Sequence, residues 1–299
     1  MFEHQIKAYD EFASIFKGAL KPHIKIKEVK PEKILLILDD SDQAESLRII
    51  AYRMRERFNS SIIILAHKLK NSLKKKWQQK MPYVRIMSLE KVTAKDLLHH
   101  IKKVKASLVM IPVKSEVEEE LEEGGFDNVA DDLMRKSTTP LLLLKEPVKD
   151  PSKVFSRLLT YVPGTWGAVE EFSWSFTLTE DIGGSLELLH VIEEDTIQQV
   201  EGALELSSTV NTDSSKSEVV ENFKKSIQDL FEQAVKKSRT EPFEVKTHIT
   251  IGDPVKVCKD HVNKQKATLL ILKTKRGTKA EYETYEIARE VSKVPILVM

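Results

Sequence analysis

The sequence predicts an α/β protein of two successive, similar domains, each a five-stranded, mainly parallel sheet with helices on both faces. Three observations predict it. The chain has 299 residues, about twice the roughly 150 of one ordinary domain. Short continuous apolar runs alternate with stretches whose apolar residues recur at helical spacing, and a strand apolar throughout is one buried on both faces, as in a parallel sheet. The same order of strands and helices then occurs twice, on either side of a polar stretch with two prolines, which points to an internal duplication.

The elements follow in order. Phe2, Ile6, Tyr9, Ala13, Phe16 and Leu20, widened by Phe12 and Ile15, make one apolar stripe and predict a helix ended by Gly18 and Pro22. That helix either packs on its own domain or offers a face to a partner. Lys33–Asp39 (KILLILD) is the first strand, and Ser41–Phe58 the first crossover helix, with Leu47, Ile50, Ala51, Met54 and Phe58 on one side. Ser60–His67, Tyr83–Met87, Ser107–Pro112 and Pro140–Leu144 predict four further strands, with helices over Thr93–Val104 and Phe126–Lys136. Glu146–Val154 (EPVKDPSKV) reads as the linker.

After it, strands are expected at Ser156–Val162, Ser185–Ile192, Phe243–Ile251, Ala267–Leu272 and Val294–Met299. Helices are expected at Thr165–Thr179, Glu218–Lys237, Val255–Asn263 and Tyr282–Ser292, and a loop at Ser207–Ser217, rich in Ser and Thr. The organisation is therefore a lead-in over 1–32, one domain over 33–146 and a second over 155–299.

Composition bounds the function. Lys and Arg total 47 against 46 Asp and Glu, a net charge of +1, so no charge excess draws the chain to nucleic acid. The lone Cys258 fits a reducing compartment. No apolar run reaches the roughly 20 residues of a membrane span, and Met1-Phe2-Glu3-His4 does not open a secretory signal. The expectation is a cytoplasmic protein that is not membrane-embedded. Only 10 residues are glycine, about half the usual share, which leaves little material for loops that bring backbone amides onto a phosphate.

Local chemistry is sparse. Asp39, Asp40, Ser41 and Asp42 stand where a strand gives way to a helix, the end of a doubly wound sheet at which ligands bind. These acids suit Mg²⁺, or equally the capping of the next helix. His99 and His100 are adjacent and face different ways on a helix. His67 and His190 each lie in or at the end of a second strand and read as structural, and Cys258 as a buried, inert thiol. Lys68–Lys80 (KLKNSLKKKWQQK) sets Trp77 among lysines, a solvated face or a contact for nucleic acid or an acidic partner. No nucleophile elbow, P-loop or zinc-protease motif occurs. No catalytic set and no metal set is assigned.

With these stretches in place, the chain resembles the universal stress proteins. The resemblance rests on Ile34–Ser41 (ILLILDDS), Thr139–Leu144, Leu186–Val191 (LELLHV), Thr250–Pro254 (TIGDP), Ala267–Leu272 and Val294–Met299, in the family's order twice over. It implies a Rossmann-like fold of the HUP type, whose terminal strands pair across a dimer. Here the expectation is that Leu141–Leu144 pairs with Ile296–Met299 within one chain, a pseudo-dimer, with a homodimer left open.

Nucleotide-binding members of that family carry G-x2-G-x9-G-[ST] after the fourth strand and an acid after the first. The first half keeps the acid as Asp39, with Asp40 and Ser41, but its loop holds six Glu between Glu116 and Glu123, and Gly124 and Gly125 are adjacent. Such a loop repels phosphate. The second half has Pro163, Gly164 and Thr165 in place of the acid, keeps Gly252, and has only Gly277 in its basic loop. The residues that the resemblance assigns to residual nucleotide pockets are thus Asp39, Asp40, Ser41, Gly164, Thr165 and Gly252. The resemblance implies a non-enzymatic regulatory or scaffold protein with degenerate nucleotide sites, no obligatory cofactor, and protein partners. The alternatives are an ATP- or AMP-binding sensor with weak or no ATPase activity, and a cytosolic regulator of a membrane transporter.

Overall fold

The computed structural model describes residues 26–81, 83–89, 92–113, 126–163, 169–180, 184–195, 197–198, 212–238, 243–274 and 279–299. The first half supplies β1 (Lys33–Leu38), α1 (Gln43–Phe58), β2 (Ser61–His67), α2 (Asn71–Lys80), β3 (Arg85–Leu89), α3 (Ala94–Val104), β4 (Leu108–Pro112), α4 (Phe126–Lys136) and β5 (Leu141–Leu144). A short 3₁₀ turn, Pro151–Lys153, leads into β6 (Arg157–Tyr161), α5 (Val169–Glu180), β7 (Ser185–Ile192), α6 (Thr212–Ser238), β8 (Glu244–Ile251), α7 (Pro254–Gln265), β9 (Leu269–Leu272), α8 (Lys279–Glu290) and β10 (Ile296–Val298).

The described strands join one ten-stranded sheet in the order β3-β2-β1-β4-β5-β10-β9-β6-β7-β8. Within each half the strands are parallel and follow the same order, so the two halves are copies of one topology. The halves meet where β5 and β10 pair antiparallel, with Leu143, Leu142 and Leu141 opposite Ile296, Leu297 and Val298. The pairing expected of the two terminal strands is therefore present within the chain. Both strands are buried along their length.

Alternate residues of the central strands face opposite sides, and each side carries one continuous core. Leu36, Leu142, Leu297, Ile271 and Leu158 face α1, α5 and α6, which contribute Leu47, Phe172, Phe176 and Phe231. Leu35, Leu143, Ile296, Leu270 and Leu159 face the other side, with Leu97, Leu133, Cys258 and Ile287 from α3, α4, α7 and α8.

The lead-in and the linker are tied down more firmly than their composition suggests. The backbone amides of Lys27 and Val29 donate to Ser173 Oγ (3.2 Å) and Thr177 Oγ1 (3.0 Å) on α5. The first residues described in the chain thus lie on a helix of the second half. Arg57 of α1 donates to the carbonyls of Leu178 (2.7 Å) and Thr177 at the end of the same helix. In the linker, Val148 N donates to Ser46 Oγ at 3.1 Å, and Val154 is fully buried. On the opposite face, Arg289 of α8 pairs with Asp131 of α4 at 2.8 Å.

Several expectations need correction. The stretch 212–217, read as part of a loop, is the first part of α6; serines and Thr are well tolerated in a helix's opening turns, where their side chains can serve free amides. Residues within Lys68–Lys80 form α2, and Trp77 is 2% exposed. That ring fills the core and is not available to stack on a base. The third strand is Arg85–Leu89, shifted two residues from the apolar stretch that suggested it. The helix expected from Thr165 is described from Val169. The N-terminal helix, residues 114–125 of the acidic loop, and 275–278 of the basic loop lie outside the described residues. Among the described residues, no helix is long and apolar enough to cross a membrane.

Two outcomes check this arrangement. Chemical denaturation followed by far-ultraviolet circular dichroism and tryptophan fluorescence is expected to give one coincident transition, since both cores run across the junction. Leu297→Ala at the junction is expected to lower the stability of the whole chain by roughly 2–5 kcal/mol, moving that one transition rather than splitting it.

Candidate functional site

In an open α/β sheet the crevice for a ligand forms at the carboxyl ends of the strands, where the strand order reverses. That point lies between β1 and β4 in the first half and between β6 and β9 in the second.

In the first half, Asp39 follows β1 at this point. Its Oδ1 accepts from Ser41 N at 3.0 Å, a tight local turn. Asp40 faces away from that turn and pairs with Lys70 Nζ at 3.2 Å. Asp42 starts α1 without a side-chain cap. Gln43, largely buried, donates from Nε2 to the Lys145 carbonyl at 2.7 Å. The acids read as a cluster are thus divided among separate tasks. Asp39 alone stands at the carboxyl end of β1 in the crevice position.

The second half builds a different crevice. Lys273 follows β9, and its Nζ lies 3.4 Å from Glu171 Oε2 and 3.6 Å from Glu170 Oε2, both on the first turn of α5. Glu171 is only 2% exposed. Burial raises its pKa to about 7, and the Lys273 ammonium opposes that rise. At the end of β6, Tyr161 donates its hydroxyl to Glu283 Oε2 of α8 at 3.1 Å. Burial and that neighbouring carboxylate push the phenol's pKa well up. Thr284 Oγ1 donates to the Lys273 carbonyl at 2.8 Å. His190 of β7 is buried and donates from Nδ1 to the Val162 carbonyl at 2.7 Å. Burial lowers its pKa to about 4, so the ring is neutral and structural.

Gly164 and Thr165 lie outside the described residues. Gly252 is placed, and not in the crevice. It follows β8, the outermost strand, two strands from β6 and so roughly 10 Å away at the usual strand spacing. Its φ of 153° suits glycine, and its N–H already donates to the Ile192 carbonyl at 3.0 Å. The next residues start α7: Asp253 accepts from Lys256 N at 2.8 Å, and Pro254 takes the first helical position. The glycine thus makes a strand-to-helix turn. Cys258 is fully buried, which raises its thiol pKa to about 12, as an inert core residue requires.

Residue-by-residue reading missed Glu171, Tyr161, Lys273 and Glu283, because their proximity depends on a crossover that brings α5 and α8 over the ends of β6 and β9. It also missed a second constellation. Among the described residues, Glu187, His248 and His261 place one ligand atom each within 4.8 Å of one another. One signal for it was present: Glu187 is the single acid inside the apolar run Leu186–Val191, and a buried strand tolerates a carboxylate only with a partner.

Residues 168–282 match the Universal stress protein family. No curated protein matches the chain. Among solved structures, it is similar to a functionally unknown protein from Pseudomonas aeruginosa, at 11% identity over 90% of this chain and 92% of that one, with a TM-score of 0.63. It is likewise similar to a universal stress protein from Archaeoglobus fulgidus, at 15% identity over 90% and 96%, with a TM-score of 0.57. At such identities the likeness is one of fold, and it extends over both halves.

The raised pKa of Glu171 fixes a sign. Its folded value lies above the unfolded one, so the folded state holds the extra proton between about pH 4.5 and 7, and Glu171 makes the protein less stable as pH rises through that window. His190 acts the other way: its neutral folded form is favoured as pH rises from about 4 toward the unfolded value of 6.5. Glu171→Gln removes the first effect alone. Relative to wild type, its stability measured by urea titration is expected to improve progressively from pH 4.5 to 7 and then level off.

Proposed function

We propose, for a chain that carries a universal stress protein domain over residues 168–282 and repeats that fold in its first half, a non-enzymatic regulatory or scaffold role through protein–protein contacts, with degenerate nucleotide sites. The boundaries we assign to the two units are 33–146 and 155–299, and the compartment is the cytoplasm, where a lone buried thiol stays reduced.

The observation that carries this reading is the engagement of Lys273. This lysine, at the second crevice, stands against two carboxylates of the same chain. A triphosphate would have to displace that contact and would meet the negative charge of Glu170. Glu171, with its carboxyl in the core, adds a second acid where a phosphate would want amides. In the first half Asp39 keeps a position suited to a ribose hydroxyl, but its Oδ1 is already used by the Ser41 amide. Beside it, Lys70 is paired with Asp40. Six glutamates of the adjacent loop add to the repulsion. A fold held together by two shared cores, without a working pocket in either half, is suited to presenting surfaces.

Isothermal titration with ATP and with AMP, each with and without Mg²⁺, tests the reading. The expected outcome is no binding tighter than about 1 mM, or about −4 kcal/mol. Micromolar binding overturns it, and Asp39→Ala or Lys273→Ala then tells which half is responsible.

A further inference from the structure

We propose that Glu187, His248 and His261 form a binding site for a divalent transition-metal ion of the zinc class, with two imidazole nitrogens and one carboxylate oxygen as ligands. The site lies on the α7 side of the sheet near its outer edge, apart from both crevices, and it does not depend on the nucleotide reading.

Three elements converge there. Glu187 is the third residue of β7, in register with Lys246 of β8, so His248 stands diagonally across from it beside Leu189, on the same face. That face is covered by α7, where Cys258 and Val262 enter the core and His261 shares their side of the helix. Glu187 Oε2 lies 2.9 Å from His261 Nε2 and 3.3 Å from His248 Nε2. The two rings are 4.5 Å apart between centroids and steeply inclined. Ligand atoms around a tetrahedral zinc at about 2.0–2.1 Å sit roughly 3.3 Å from one another; the two Glu187–imidazole separations are close to that spacing, and all three atoms lie within 4.8 Å of one another.

The chemistry of the donors agrees. His248 Nε2 is shielded from solvent, and Glu187 Oε2 approaches it at 3.3 Å without forming a well-aligned hydrogen bond. A shielded nitrogen so loosely held is weakly satisfied, and a metal ion between the two would serve both. The Glu187 side chain is 11% exposed and His261's 16%, whereas His248's is 33% exposed. A carboxylate so shielded needs a compensating charge. The nearest lysine along β8, Lys246, is paired with Glu244 at 3.1 Å. Two imidazoles with one carboxylate suit zinc, and other late first-row ions in proportion to their general affinity. Three protein ligands leave a fourth position for water.

Calorimetric titration of the full chain, stripped with chelator and dialysed, tests this with ZnCl₂ as the probe. The expected result is one equivalent bound per chain. His261→Gln and His248→Gln are each expected to weaken binding by at least roughly 10–100-fold, the loss that even an outer partner of a metal site costs. Co²⁺ is expected to give visible d–d bands in the wild type that the variants lose. Circular dichroism of the variants checks that they are folded; should either fail to fold, the same comparison is made with Glu187→Gln. Absence of zinc binding by the wild type overturns the proposal. So does binding of one equivalent that the folded variants retain unchanged, since the ion then sits on other histidines.

Discussion

The antiparallel pairing of β5 with β10 is the contact on which the rest of the molecule depends. Each strand would otherwise be the exposed edge of a five-stranded sheet, apolar on both faces and open to pairing with any other chain. Joined, they bury Leu141–Leu144 against Ile296–Val298 and let each half's helices pack against the other's. The register places Leu142 opposite Leu297 on one face and Leu143 opposite Ile296 on the other. A single-residue slip would exchange the two faces throughout.

The same pairing dictates where the two crevices lie. All strands within a half are parallel and the junction is antiparallel, so the carboxyl ends of the first half point one way and those of the second half the other. Asp39 and Lys273 therefore stand at opposite ends of the sheet. The acid at one crevice thus cannot complement the cation at the other. The described contacts at the two crevices also differ: the first holds an Asx turn and an Asp40–Lys70 pair, the second the Glu171–Lys273 contact.

Much of this was legible in the residues. Continuous apolar runs identify the inner strands, because a strand covered on both faces needs no polar residue. The pairing of the two terminal runs was implied by the family resemblance and not by their composition. What was not legible depends on tertiary contact. The helix α2 is rich in lysine and anchored by the buried Trp77, so its sequence shows a charged stretch and not the face that packs. Gly252 stands in a strand-to-helix turn, set by its φ and its hydrogen bond to Ile192, a geometry that its motif alone does not show. The trio of Glu187, His248 and His261 spans three elements and 74 residues between its first and last members, a separation at which spacing carries no information.

Polarity along the sheet explains why the halves assemble in this order. The junction strands are buried at every residue, whereas β3 and β8, at the two ends, are only partly buried and expose charged side chains. On β8 the Glu244–Lys246 pair places charge where an incoming strand would dock. The outer strand is instead held inward by polar contacts on its own face, His248 and Glu187 among them. Pairing two outer edges would bury those charges without partners, and pairing an outer edge with β5 or β10 would set them against leucine. Among the described strands, β5 and β10 match each other in both burial and chemistry, so the strand polarity that excludes foreign partners at the outer edges also selects the internal pairing at the centre.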